Sequence, residues 1–113
     1  MNKDTFNKYY HSLLRKASKV RDEKEEEYLS ENDVLSSFRR IARFRERTTP
    51  QSIADQWAKH ADSISTMVNE EFEHSHAIHC EQYPLEKWDE KFIDLLNLTL
   101  KLYVAIQEHR TTS

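Results

Sequence analysis

The chain contains no glycine, and that absence excludes more than any residue present. Tight hairpins and phosphate-cradling loops depend on backbone that a side chain obstructs. A hairpin-rich β fold and every glycine-loop nucleotide motif are therefore excluded. With Cys80 as the only cysteine, no internal disulfide can form. No run approaches the roughly 18 consecutive apolar residues of a membrane helix, and the N-terminus lacks a signal-peptide apolar core. These shortfalls lead us to expect a cytoplasmic, reducing setting. A formal net charge of −3 provides no global attraction to nucleic acid.

What is present favours helices. At 113 residues the chain is expected to be one all-α domain, 1–113, of about four helices. Two Trp, five Tyr and five Phe supply the apolar anchors that disordered chains lack. The first helix is expected from about Asp4 to Tyr28, with Phe6, Tyr9, Tyr10, Leu13, Leu14, Ala17 and Val20 as its buried face. After Val20 it turns into the charged run Arg21 to Glu27. Ser30 and Asp33 have capping-box spacing, so a second helix is expected near Glu31, with Val34, Leu35, Phe38, Ile41, Ala42 and Phe44 inward. Thr49 as N-cap and Pro50 at the first position open a third helix carrying Ile53, Trp57, Ala61, Ile64, Met67 and Val68. Its end is open, because residues 70–82 are polar and histidine-rich, and Tyr83-Pro84 breaks the pattern.

The fourth helix, about Leu85 to His109, has two apolar rows, Trp88, Phe92, Leu95, Leu102 and Ile106 beside Ile93, Leu96, Leu100 and Val104. A helix apolar over so much of its circumference is expected to be central and also shared with a second copy, as a homodimer. Four of its polar residues, Glu90, Asp94, Asn97 and Lys101, form one stripe. A buried carboxylate or amide needs partners, so the stripe should meet something charged or wet. A solvated face would look the same, and both readings stay open here.

The acidic end of the first helix offers a counterpart in Glu23, Glu26 and Glu27. Like charges at i and i+4 repel, so their crowding lacks structural benefit. Carboxylates from two helices suit magnesium, which takes oxygen ligands and bridges to nucleotide phosphates. Arg39, Arg43 and Arg47 recur at i+4 on the second helix, where guanidinium groups could hold those phosphates. They could equally pair with the acidic stretch. Lys59 and His60 are further candidates, although a lone histidine beside Trp57 and Ile64 is commonly a core residue. His74, His76, His79 and Cys80 suggest zinc at first sight, but no second Cys/His pair completes four ligands.

The order of these pieces has a familiar look. Glu27-Tyr28, Asp33-Val34-Leu35-Ser36-Ser37-Phe38, Thr49-Pro50, Lys59-His60-Ala61-Asp62-Ser63-Ile64 and Glu90 to Asn97 together resemble small nucleotide-modification-associated, MazG-like proteins of phage and bacteria. Those are similar to the all-α nucleoside triphosphate pyrophosphohydrolases. The resemblance spans about residues 27 to 106 and implies a helical bundle assembled as a dimer or higher oligomer. It also implies magnesium held by acids of two helices, and cleavage of a nucleoside triphosphate into monophosphate and pyrophosphate. On that reading Glu27, Glu90 and Asp94 are catalytic, and Glu23, Glu26, Glu27, Glu90 and Asp94 hold the metal. Arg39, Arg43, Lys59, His60, Asn97 and Lys101 line the substrate. Glu23 and Glu26 match the first Glu-x-x-Glu of such enzymes, but Glu90 and Asp94 are one residue too far apart for the second, Glu-x-x-Asp. The competing expectation is a non-enzymatic accessory protein whose charged runs dock a protein partner, with nucleic acid a weaker third.

Overall fold

The computed structural model describes residues 1–27, 33–73 and 83–112, with side chains described for all of these but 25–27. It is all-α: α1 Lys3–Glu27, α2 Ser36–Phe44, α3 Thr49–Phe72 and α4 Leu85–Thr112, with no strand among the described residues. No helix of the described residues is long and apolar enough to cross a membrane.

Local chemistry sets each start. Asn2 Oδ1 accepts from Thr5 N at 2.8 Å and caps α1. The helix expected near Glu31 begins instead at Ser36. Asp33 accounts for the shift, because its carboxylate takes the Leu35 N–H at 3.0 Å and its carbonyl the Ser36 N–H at 3.1 Å. This local turn competes with earlier helical bonding. The cap of α3 is Thr48, one residue before the expected Thr49. Thr48 Oγ1 accepts from Gln51 N and Gln51 Oε1 from Thr48 N, a complete capping box with Pro50 in the first turn.

α2 ends without glycine in the place glycine usually fills. Glu46 takes φ 55°, and Arg47 N donates to Ala42 O at 2.8 Å while Glu46 N donates to Arg43 O at 3.3 Å. That bond pair is a Schellman motif, built here on a glutamate in the left-handed region.

α4 is the central element, as its broad apolar surface led us to expect. It packs against both α3 and α1, α3 also packs on α2, and the backbone of α1 approaches no other helix. Leu35, Ile53 and Ala105 form the core, with Phe38, Leu98 and Leu102 against it, and Ile53 is wholly buried. Polar bonds bind α4 on both sides. Trp57 Nε1 donates to Thr99 Oγ1 at 2.9 Å on the α3 side, and Asn97 Nδ2 donates to Ala17 O at 3.1 Å on the α1 side. At the far end Trp88 Nε1 and Tyr83 N both donate to Glu71 Oε1 at 3.3 Å, and the Tyr83 hydroxyl donates to Glu70.

Because α1 rests on one neighbour, part of its expected inner face is uncovered. Ala17 is buried, but Phe6, Tyr9 and Tyr10 are 59%, 67% and 51% exposed, with Phe6 and Tyr10 stacked at 6.3 Å. Val34, Phe44, Leu100 and Val104, also expected inside, are exposed too. The molecule measures 52 × 29 × 26 Å with a radius of gyration of 17.0 Å. A compact domain of this length has about 13 Å.

Candidate functional site

Two polar regions emerge from the packing: the crease between α1 and α4, and a cleft between α2 and α3.

The crease joins the two stretches in which acids were expected to converge. Lys24 Nζ lies 3.8 Å from Asp94 Oδ1, and Lys16 Nζ lies 2.7 Å from Asp89 Oδ2. The second half of α1 therefore lies against the first half of α4, through ammonium–carboxylate pairs. These pairs are half exposed, so each contributes at most about 1 kcal/mol. Asn97 is buried between the helices. Its amide nitrogen serves Ala17 O, and its Oδ1 has no partner. Such an acceptor is costly unless something donates to it.

The expected acids are only partly gathered. Glu23 lines an open concavity of about 1180 Å³ along one face of α1, beside Asp22, Lys19 and Arg15. Glu90 is exposed on α4, and Asp94 is half-buried and paired with Lys24. The side chains of Glu26 and Glu27 lie outside the described ones. Among the described residues no three Asp, Glu, His or Cys side chains come together to hold a metal ion. The described side chains alone do not complete a magnesium site, and we derive no chemical step through the ion. His74, His76, His79 and Cys80 fall outside the described residues.

The basic candidates separate. Arg39 is engaged as a clamp: its guanidinium donates to Glu108 at 2.6 and 2.8 Å and to Asp33 as well. These bonds hold the Glu108 and Asp33 carboxyls below their ordinary range and push the arginine further up. Arg39 thereby ties α2 and its entry turn to the end of α4. Arg47, expected on the arginine stripe of the second helix, lies beyond α2 and meets Asp55 at 3.2 Å. Lys101 sits over the Phe38 ring at 5.9 Å. Arg43 is exposed, and His60 is half-buried with Nδ1 unpartnered.

Lys59 belongs to the second region. A cleft of about 390 Å³ between α2 and α3 is lined by Arg40, Phe44, Arg45, Ser52, Gln56 and Lys59, with Asp55 and Ile41. Of these only Lys59 was expected at a site. Phe44 and Arg45 close the second helix with a ring and a charge, but their meeting with Lys59 depends on how α2 crosses α3. Ser52 carries no sequence signal, since serine in a first turn is commonplace.

The chain is thus an all-α protein with a charge-paired crease on one side of its central helix and a cationic cleft further off. Comparison with protein-family models, curated proteins and solved structures found no match. The functional reading rests on residues and geometry.

Proposed function

We propose that this chain binds a nucleoside triphosphate or a related nucleotide at the α1–α4 crease, where Asp94 and Glu90 of α4 and the acidic end of α1 are the groups that would hold magnesium. The observation that carries this reading is the 3.8 Å approach of Lys24 to Asp94. It brings the turns of α1 that carry Glu23, Glu26 and Glu27 against the turn of α4 that carries Asp94. Glu90 lies one turn from Asp94, and the unpartnered Oδ1 of Asn97 one turn the other way. Hard oxygen donors from two helices suit magnesium, and Lys24 is placed to neutralise either Asp94 or a phosphate. The resemblance to MazG-like proteins supports the same choice of ligand and suggests release of pyrophosphate.

A panel of nucleoside triphosphates with magnesium tests it through melting temperature and pyrophosphate release. We expect at least one nucleotide to raise the melting temperature only with magnesium, and Asp94→Asn to remove the rise. Absence of both stabilisation and pyrophosphate across the panel would sink the reading.

A second reading is favoured by the uncovered aromatic face of α1. Phe6, Tyr9 and Tyr10 form an exposed patch on a helix with one neighbour. Such patches mark association surfaces. On this reading the chain is an interaction protein whose first partner is a second copy of itself. The two readings are compatible, because the crease lies at the other end of α1.

A further inference from the structure

The cleft between α2 and α3 is separate from the crease, since α1 packs on neither helix. We propose that this cleft is a mononucleotide site, in which Arg45 and Lys59 hold the phosphate, Ser52 donates to it and Phe44 carries the base. The inference does not rest on the magnesium reading of the crease.

Charge is the first support. Arg45 and Lys59 line the cleft and have no ionic partner among the described residues. Asp55, the one carboxylate in the lining among the described residues, is tied to Arg47 at 3.2 Å. Cations gathered in one concavity repel, and a phosphate between them relieves that repulsion. Guanidinium offers it paired N–H donors, and the lysine a point charge. Ser52 lies at the fourth position of α3, so the positive end of that helix adds to the same potential.

Ser52 is the second and independent support. It is 4% exposed, it lines the cleft, and its Oγ has no hydrogen-bond partner. Buried hydroxyls are normally bonded, so an orphan on a residue that lines a cationic cavity points to a ligand acceptor. A phosphate oxygen meets that need.

Phe44 supplies the third. It is 89% exposed, the most exposed ring of the described residues, and it belongs to the same lining. An aromatic face left in water beside a phosphate site is suited to stacking a base. The cleft's volume of about 390 Å³ lies near the lower end of small-ligand pockets, which run from about 300 Å³ upward. It fits one nucleotide better than a longer strand.

The test is calorimetric titration of the full chain with AMP and with inorganic phosphate, in EDTA so that no magnesium contributes. Native protein should bind AMP, and the double variant Arg45→Glu/Lys59→Glu should weaken binding about tenfold or more, as expected for lost charge-assisted bonds. Both side chains are exposed, so the variant's melting curve should match the native one. Phe44→Ala should weaken AMP binding and leave phosphate binding unchanged. Failure of native protein to bind AMP would overturn the proposal. Insensitivity to the charge reversal, insensitivity to Phe44→Ala, or far tighter binding of an oligonucleotide than of AMP would do the same.

Discussion

At the scale of single residues, most of the polar chemistry in this chain is structural. Glu46 shows it plainly. Its φ of 55° completes the Schellman bonds that end α2, and a side chain there carries steric cost that glycine would not. Glu46→Gly should therefore raise stability by about 0.5–1 kcal/mol, measured by urea unfolding. A fall in stability would mean that the glutamate side chain is itself needed. Arg39 is the other case. The Asp33 and Glu108 carboxyls are both held low by its guanidinium, so the folded chain binds protons at them less readily than the unfolded chain. For carboxyls depressed in this way, the stabilisation is fully present above their ordinary values. It is lost as pH falls through the lowered ones, a window below about pH 4. Melting temperature should drop across that window in native protein, and less steeply in Arg39→Gln. Equal slopes would remove the clamp from the acid response.

Among the elements, α4 governs. Its Thr99 hydroxyl and Asn97 amide meet α3 on one side and α1 on the other. α3 anchors the opposite wall through Ile53, which is fully buried beside Leu35 and Ala105. Ile53→Ala leaves a cavity where nothing can collapse easily, and should cost about 2–5 kcal/mol in a denaturant titration. A loss below about 1 kcal/mol would show that the core lies elsewhere. α1 is the least committed helix, held by Ala17, Asn97 and two half-exposed ion pairs. It should exchange its amide protons soonest.

For the whole molecule, an elongated form and an uncovered aromatic face belong together. A radius of gyration of 17.0 Å exceeds that of a compact domain because α1 has a neighbour on one side only. A second copy that covered Phe6, Tyr9 and Tyr10 would complete the missing layer. Light scattering should therefore give twice 13.6 kDa for the native chain, and Phe6→Glu/Tyr10→Glu should return the single mass with helical content retained. A native chain of single mass at high concentration would refute the dimer.

From the sequence alone came the fold class, the four helices among the described residues and the inner place of α4, which α3 shares. Each of these follows from local facts: no glycine, an apolar period near 3.6, and caps such as Thr48 with Gln51. The start of α2 is set locally as well, since Asp33 accepts from Leu35 N, while the expected capping residue Ser30 lies outside the described residues. Only the tertiary structure decided which charges are occupied. Arg39 is bound to Glu108 across 69 positions and Asn97 to Ala17 across 80, while Arg45, Lys59 and Ser52 share a cleft. Periodicity reports which way a side chain faces on its own helix. It is silent on which helix lies opposite, and that crossing decides whether a cation closes a clamp or waits for a ligand.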